Sequence, residues 1–408
     1  MVTVEQALEI VLRETPALPA EEVPLEEALG RVLAHDVAAD RDLPGFDRAA
    51  MDGYALRAAD VRHAPAALEV VGEVRAGEWP TLAVGTGQAV RIMTGAPLPQ
   101  GATAVQQVEK TRPLDEFRVT LLAAVAEGQN VAPRGSEVRA GDVVLARGRV
   151  VDPAAIGVLA TAGCARVGVA RRPVVAVLVT GDEIVDVAAM PGPAQIRNSN
   201  GPAVAAQARL AGARVELLGV APDRQQAIEE ALRGGLAADV LIVSGGVSAG
   251  EYDLVEPALL ELGATLLFTK VQVKPGAPLV FGRRGATLVF GLPGNPVSAQ
   301  VCFELFVRPA LLKLQGAHVL SRPRVEAQLA GRVANRSGRK SHTPARVRFE
   351  DGRLVARPLR SAGSGDLVAH ARANALVVLE AEREQAAEGE TVEALLLGRF
   401  LEDDGGPV

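Results

Sequence analysis

The spacing of apolar and polar positions changes along the chain, and each change predicts a different kind of structure. The first 42 residues have helical spacing and predict two short helices, the first starting with a capping box between Thr3 and Gln6. From residue 43 to about 132, short β-like runs are separated by glycine and proline, which predicts a small all-β unit. Residues 133–170 carry a second β-like pair and then a helix.

A sharper change follows Pro173, where the run VVAVLVT is apolar throughout, as is typical of a strand buried on both faces of a sheet. Further apolar runs alternate with helical segments, which predicts right-handed crossovers and a doubly wound, largely parallel sheet with helices on both faces. The predicted strands are 174–180, 214–220, 240–244, 265–271, 279–282 and 286–291, and the predicted helices are 201–211, 223–233, 253–262 and 296–314.

The pattern shifts again at Pro323, beyond which β-like runs rich in arginine and glycine predict a small C-terminal β domain. A chain of 408 residues is long enough for about two to four domains. Hydrophobic residues make up 48% of the chain but aromatic residues only 3%, so alanine, valine and leucine must fill most of the cores.

Charge and hydropathy argue against two classes of partner. The formal net charge is −6 and no long basic run is present, which argues against nucleic-acid binding. No apolar run reaches the roughly 18 residues of a membrane span, and the first residues lack the basic and apolar parts of a signal peptide. We therefore expect a cytoplasmic protein with neither a membrane nor a nucleic-acid partner.

Chemically distinctive residues follow the predicted strands of the α/β part. Because ligands of open parallel sheets bind beyond the carboxyl ends of the strands, we expect the segments after each strand to meet on one rim. Each segment contains a glycine, a carboxylate or a lysine. The segments are Thr180-Gly181-Asp182-Glu183, Ala221-Pro222-Asp223, the run from Ser244 to Asp253, Lys274-Pro275-Gly276, and Leu292-Pro293-Gly294-Asn295-Pro296.

The segment SGGVSAG at 244–250 is the best candidate for binding an anion. Its glycines allow backbone N–H groups to turn toward an oxyanion, and the helix after it adds the positive end of its dipole. The same residues could also form a tight turn without a ligand. The segment is neither a Walker A loop nor a GxGxxG motif, so neither nucleotide hydrolysis nor nicotinamide binding is indicated.

Lysines and carboxylates near this rim point to an anionic ligand with a cation. Lysine is rare in the chain, yet Lys270 and Lys274 lie at one strand end, where each is either an anion ligand or a solvated charge. Asp223 and Asp253 also suit helix caps, and Glu183 also suits an exposed turn. Acids beside an anion site repel the anion unless a divalent cation lies between them, which predicts Mg²⁺.

Six motifs resemble, in the same order, those of a known family. The segments LPGFDRAAMDGYALR (43–57) and RIMTGAPLPQGATAV (91–105) are followed by TGDE, SGGVSAGEYD, KPG and GLPGNPVS. Together they are similar to the motifs of the molybdopterin molybdenumtransferases, the MoeA family, which is related to the E domain of gephyrin. The resemblance extends from residue 1 to about residue 400.

The resemblance implies a multidomain α/β and β protein whose α/β domain is of the molybdopterin-binding type. The implied domains are an elongated linker domain (1–42 plus 133–170), an inserted small β domain (43–132), the α/β domain (171–318) and a C-terminal β barrel (319–408). It also implies a homodimer, with the site between the α/β domain of one subunit and the β insertion of the other.

The reaction implied by the resemblance inserts molybdate into adenylylated molybdopterin, with Mg²⁺-dependent cleavage of the phosphoanhydride and release of AMP. The implied substrate donor is a molybdopterin adenylyltransferase. The implied catalytic residues are Asp52, Thr94, Glu183, Asp223 and Asp253, of which the four acids would organise Mg²⁺. The residues implied to bind phosphate, pterin or oxyanion are Thr180, Gly181, Ser244, Gly245, Gly246, Ser248, Gly250, Lys270, Lys274, Pro293, Gly294, Asn295 and Ser298.

One position departs from the family pattern, which usually reads KPGKP where this chain has Ala277. A cation expected near the oxyanion is therefore missing, and the candidates to replace it are Lys270, Lys340, His342 and Arg346. Three alternatives stay open: a non-catalytic molybdopterin carrier or scaffold, a variant that inserts tungstate, and a phosphohydrolase acting on another nucleotide-linked pterin.

Overall fold

The computed structural model describes residues 1–246 and 254–398. The chain forms two compact units, of which the first contains Met1–Ala34, Arg147–Asp152 and the chain from Gly168 onward, and the second contains His35–Ala146 and Pro153–Val167. No helix in the described ranges is long and apolar enough to cross a membrane.

The first residues form helix α1 (Val4–Glu14) and strand β1 (Ala20–Pro24). The predicted capping box is confirmed, since the Thr3 hydroxyl accepts the Gln6 N–H at 3.2 Å and the Gln6 side chain accepts the Thr3 N–H at 3.0 Å. The second predicted helix is wrong, because Leu25–Glu27 forms only a single 3₁₀ turn directly after Pro24. Proline suits the start of such a turn, but three residues are too few to continue as an α-helix.

The second unit is built mainly of strands. Its strands are β2 (Val37–Ala38), β3 (Arg48–Ala49), β4 (Gly53–Leu56), β5 (Ala66–Val74), β6 (Gln88–Ile92), β7 (Ala104–Gln107), β8 (Thr111–Pro113), β9 (Arg118–Leu121), β10 (Val131–Ala132) and β11 (Val143–Leu145), and its helix is α2 (Pro153–Thr161). Six of the strands form one sheet in the order β7-β4-β6-β5-β9-β8, which confirms the predicted small β unit. All four residues of β4 are buried, because this strand lies between β6 and β7 and packs on both faces.

The α/β part of the first unit follows the chain order predicted from the sequence. After strand β12 (Arg166–Ala170), its strands are β13 (Val174–Thr180), β14 (Ile184–Val185), β15 (Ile196–Arg197), β16 (Arg214–Ala221), β17 (Val240–Ser244), β18 (Thr265–Lys270), β19 (Val273–Lys274), β20 (Pro278–Arg284) and β21 (Thr287–Leu292). The helices are α3 (Asn200–Leu210), α4 (Gln225–Gly235), α5 (Val255–Glu261), α6 (Pro296–Cys302) and α7 (Arg308–Leu314). The main sheet has the order β16-β13-β17-β21-β20-β18, with parallel pairing from β16 to β21 and antiparallel pairing of β20, which confirms a doubly wound, mainly parallel fold.

The continuous apolar run of β13 serves two cores at once. Val175 and Val177 pack into a core that also contains residues of α3 and α6, whereas Ala176 and Leu178 pack into a core formed with α4 and α5. Alternate residues of a strand point to opposite faces, so both sets must be apolar when helices cover both faces.

The long helix predicted at 296–314 is interrupted. A π-helical turn, Phe303–Val307, separates α6 from α7, and Pro309 near the start of α7 cannot donate the backbone hydrogen bond that a regular α-helix needs. The turn carries the buried Glu304, whose carboxylate accepts hydrogen bonds from Gln207 at 2.9 Å and from Arg322 at 2.8 Å. The interruption therefore contains a buried charge that is paired and hydrogen-bonded.

The C-terminal part of the first unit is a closed barrel, as predicted. Its elements are β22 (Arg324–Leu329), β23 (Val333–Ala334), β24 (Lys340–Glu350), β25 (Arg353–Pro358), α8 (Leu367–Ala371), β26 (Ala375–Leu379), β27 (Gln385–Ala386) and β28 (Thr391–Leu396). Strands pair in the order β24-β25-β22-β28-β26, and β24 also pairs with β26, which closes the barrel. Strand β19 adds to β24 through the Val273–Lys340 and Lys274–Ser341 pairs, so the barrel is continuous with the end of the α/β part.

We expect Phe281→Ala to lower the free energy of unfolding by about 3–5 kcal/mol, since its ring is fully buried between those of Phe268 and Phe290, with centroid distances of 5.5 and 4.9 Å. Urea unfolding followed by circular dichroism measures the change. The matched control is Phe349→Ala, because Phe349 is 71% exposed, and it should change the same quantity by less than about 1 kcal/mol. Equal losses in the two variants would contradict the core assignment.

Candidate active site

The segments that follow the parallel strands line one cavity of about 690 Å³. Its walls come from the segments after β13, β16, β17 and β21 and from the residues that precede α3, so these segments do meet on one rim. Of the residues predicted for this site, the cavity is lined by Thr180, Gly181, Glu183, Asp223, Ser244, Gly245, Gly246, Pro293, Gly294 and Asn295.

A buried asparagine that the sequence did not single out ties three of these segments together. The side-chain amide of Asn200, at the start of α3, donates to the Ser244 hydroxyl at 2.9 Å and to the Gly294 carbonyl at 2.8 Å. The Ser244 hydroxyl in turn donates to the Pro293 carbonyl at 3.3 Å and is 1% exposed. The Ser244 side chain therefore holds neighbouring segments of the rim together. The only sequence signal for Asn200 was its position before a predicted helix.

The glycine segment after β17 makes a close turn against β13. Gly245 has φ +99°, and a Cβ there would lie 2.5 Å from the Thr180 carbonyl oxygen, so another residue would force the two segments apart. The Gly245 N–H already donates to the Leu292 carbonyl at 3.2 Å and is not available to a ligand. Thr180 lines the cavity, but its hydroxyl is buried and has no hydrogen-bond partner among the described residues. Ser248, Gly250 and Asp253 lie outside the described residues.

Two acids, Glu183 and Asp223, line one side of the cavity, and Asp182 contacts the backbone of Asp223. The Asp182 carboxylate accepts the Asp223 N–H at 3.1 Å, and Glu183 lines the cavity beside them. Partial burial, followed by repulsion from the Asp182 and Glu183 charges, raises the pKa of Asp223. Helix α4 begins at Gln225 with Arg224 in the N-cap position, so the interpretation of Asp223 as a helix cap is wrong: the residue is one position too early.

The described residues contain no group of three or more His, Cys, Asp or Glu side chains arranged to hold a metal ion. A Mg²⁺ ion usually takes only one or two protein carboxylates and completes its shell with water and substrate phosphate. The pair Glu183 and Asp223 fits that smaller requirement, because both line the cavity and a cation would offset the burial and charge repulsion that raise the pKa of Asp223.

A second cavity, of about 400 Å³, lies where the α/β part meets the barrel. Pro278, Pro293 and Asn295 line both cavities, so the two cavities adjoin. The cations that line the second cavity are Lys274 and Arg339. The sequence did not reveal Arg339, because its place depends on the pairing of β19 with β24. Ser298 also lines this cavity.

Ala277, which stands where the family pattern has lysine, also lines the second cavity. Of the four candidate replacements, Lys340 is engaged by Glu5 and Glu380 at 2.8 and 2.7 Å. Lys270 lies at the edge of the main sheet and Arg346 lines another cavity, so neither belongs to the second one. His342 does line it, but burial lowers the pKa of its imidazole to about 3, so the ring is neutral. The additional cation is Arg339.

Asp52 and Thr94 contact each other in the second unit, although 42 residues separate them. The pairing of Gly53 with Ile92 brings the ends of β4 and β6 together. The Thr94 N–H and hydroxyl both donate to the same Asp52 oxygen, at 2.6 and 2.8 Å. These two hydrogen bonds hold the pKa of Asp52 below its ordinary value. The pair therefore presents an oriented, ionised carboxylate.

Comparison with known proteins accounts for this arrangement. Three family descriptions match in chain order: "MoeA N-terminal region (domain I and II)" at residues 2–163, "Probable molybdopterin binding domain" at 176–313 and "MoeA C-terminal region (domain IV)" at 326–397. A molybdopterin molybdenumtransferase of Bacillus subtilis (strain 168) is 36% identical over 410 residues, which cover 97% of this chain and 94% of that protein. One from Staphylococcus aureus (strain Mu50) is 34% identical over 403 residues, which cover 97% and 95%.

A solved structure agrees with these relatives. The molybdopterin biosynthesis moeA protein of Pyrococcus horikoshii OT3 is 32% identical, has a TM-score of 0.84, and aligns over 97% of this chain and 100% of its own. Fold, cavities and relatives together define a transferase of molybdenum-cofactor biosynthesis. The chain belongs to the MoeA family, and the resemblance of its motifs is confirmed.

We expect His342→Phe to make the protein less sensitive to acid. The folded pKa of His342, about 3, is below the ordinary value of 6.5, so between these values the unfolded chain binds the extra proton and stability falls as pH falls. From pH 7 to 4.5 this one group should cost about 2–3 kcal/mol. The melting temperature of the variant should therefore fall less than that of the wild type over this interval. The control His63→Phe changes an exposed histidine and should leave the acid sensitivity as it was. Identical curves for all three proteins would contradict a buried neutral His342.

Proposed function

We propose that this chain inserts molybdate into adenylylated molybdopterin, cleaving the phosphoanhydride and releasing AMP. The observation that carries the proposal is the pair of adjoining cavities that share Pro293 and Asn295, because one carries acids beside a glycine turn and the other carries two cations. A reaction that joins a phosphorylated organic substrate to an oxyanion needs two such neighbouring sites. The substrate donor is proposed to be a molybdopterin adenylyltransferase, and both proteins are proposed to act in the cytoplasm.

The first cavity is proposed to bind the pterin phosphate and the phosphoanhydride. Thr180, Gly181, Gly245 and Gly246 line this cavity and are proposed to contact the phosphate. Glu183 and Asp223 would hold Mg²⁺ together with the substrate oxygens. When bound there, Mg²⁺ neutralises charge on the anhydride that is cleaved.

The second cavity is proposed to bind the oxyanion. Lys274 and Arg339 supply positive charge, and the Ser298 hydroxyl supplies a further donor. Because the two cavities adjoin at Pro293 and Asn295, an oxyanion bound here lies beside the pterin site.

Asp52 and Thr94 are proposed to complete the site of the other subunit in a homodimer. Thr94 holds the Asp52 carboxylate ionised and in one orientation, which suits a group that must accept a proton or orient the attacking oxygen.

A second candidate function is a molybdopterin carrier with weak or altered oxyanion binding, and Ala277 is the observation that favours it. Without the lysine of the family pattern, the charge of the second cavity rests on Lys274 and Arg339. Tungstate has almost the charge and size of molybdate, so the tungstate-inserting variant uses the same residues.

The experiment that tests the proposal incubates purified protein with adenylylated molybdopterin, Mg²⁺ and either molybdate or tungstate, and follows AMP release together with loaded cofactor. We expect Asp52→Asn to lower oxyanion-dependent AMP release by roughly 10²- to 10⁴-fold, since the amide can neither accept a proton nor carry the charge. The control Asp115→Asn removes an exposed, hydrogen-bonded acid of the same unit and should keep full activity. Wild-type turnover by Asp52→Asn would refute the role, and tight pterin binding without AMP release would favour the carrier.

We expect Ala277→Lys to lower the oxyanion KM by about tenfold, because one charge-assisted hydrogen bond is gained in a cavity that Ala277 already lines. The KM for molybdate is measured at saturating pterin substrate. Ala387→Lys adds the same charge at an exposed position outside the cavity and serves as the control. A KM that is unchanged or higher in Ala277→Lys would contradict the assignment of the second cavity to the oxyanion.

A further inference from the structure

A third cavity, of about 320 Å³, lies on the C-terminal barrel and is strongly basic. Its charged lining residues are Arg346, Arg348, Arg357, Arg360, Arg372 and a single acid, Asp366. Such a concentration of positive charge stands out in a chain whose formal net charge is −6. It gives the barrel a local positive potential that attracts anions.

Only part of this positive charge is neutralised by nearby acids. Arg357 pairs with Glu350 at 2.7 Å. The Asp366 carboxylate is occupied by the Ala369 and Ala362 N–H groups, both at 3.0 Å, and the first of these bonds caps α8. Within residues 1–246 and 254–398, Arg360 and Arg372 form no close ion pair, although Arg372 does sense Asp366: the pKa of Asp366 is lowered by backbone N–H groups, first that of Ala362, and also by the charge of Arg372. One carboxylate therefore faces several guanidinium groups in this cavity.

We propose that this third cavity is a binding site for a small phosphate-bearing molecule. The planar fork of a guanidinium matches two oxygens of a phosphate, which favours a phosphate over a monovalent anion. The site is concave, and its volume is at the lower end of the range for small-molecule sites, which favours a small ligand over a protein surface. Leu359 and Val368, the latter 64% exposed, add an apolar wall for an organic part of the ligand.

The second and third cavities are both lined by β24. Ser341, His342, Thr343 and Pro344 line the second cavity, and Arg346 and Arg348, further along the same strand, line the third. Phosphate binding in the third cavity would place a second anion close to the second cavity. This proposal does not depend on the reaction proposed above, because its test measures binding without turnover.

The test is calorimetric titration of the full chain with inorganic pyrophosphate at low salt and without Mg²⁺. We expect the double variant Arg360→Glu, Arg372→Glu to weaken binding by on the order of a hundredfold, since two charge-assisted contacts are replaced by repulsion. The milder pair Arg360→Gln, Arg372→Gln should weaken it by at least about tenfold and guards against a folding defect in the first. The control Arg336→Glu makes the same charge change at an exposed arginine of the barrel outside the cavity and should bind like the wild type.

Three results would overturn the proposal. The first is pyrophosphate binding that survives the double variants but is lost in Lys274→Ala, which would place the anion in the second cavity. The second is absence of pyrophosphate binding by the wild type together with binding of a poly-glutamate peptide, which would make the cavity a contact for an acidic protein. The third is equal loss of binding in Arg336→Glu and the double variants, which would show attraction by overall charge alone.

Discussion

Burial of the parallel strands on both faces is the constraint on which the rest of the first unit depends. Alternate residues of β13 and β17 enter two different cores, so helices must cover both faces of the sheet. The carboxyl ends of the strands then become the place where polar groups can meet a ligand without opening a core. Acids, glycines and the first cavity are all found at that edge.

The geometry of the site depends on the hydrogen bonds that hold its loops as well as on the residues that line the cavity. Asn200 and Ser244 are buried; the Asn200 amide donates to the Ser244 hydroxyl and the Gly294 carbonyl, and the Ser244 hydroxyl donates to the Pro293 carbonyl. They fix the position of the turn at Gly245, which no other residue could form without displacing Thr180. A rim fixed in this way needs little rearrangement when a ligand binds, and less ordering entropy is lost.

Much of this could be predicted from the sequence because some signals are local. Continuous apolar runs predicted the sheet, and Thr3 with Gln6 predicted the first helix start. Motif resemblance singled out Asp52 and Thr94, but only the structure shows that they contact each other. Other features depend on partners far along the chain. The sequence suggested Asp223 as a helix cap, but in the structure α4 begins at Gln225 and Arg224 is in the N-cap position. Arg339 lines the second cavity because β19 pairs with β24, and the sequence does not show that pairing. No local pattern distinguishes such residues from ordinary surface residues.

The contact between Lys340 and Glu5 shows that helix α1 packs against parts of the chain that are synthesised much later. It joins residues 335 positions apart, and the same N-terminal helix buries Val4, Ala7 and Val11 in a core completed by α6 and α7. At about 5–20 residues per second, a ribosome needs about 15–60 seconds to make the chain between α1 and α7. Throughout that interval the apolar face of α1 lacks part of its native cover. Chaperones that bind nascent chains therefore have a long opportunity to act on the first dozen residues of this protein.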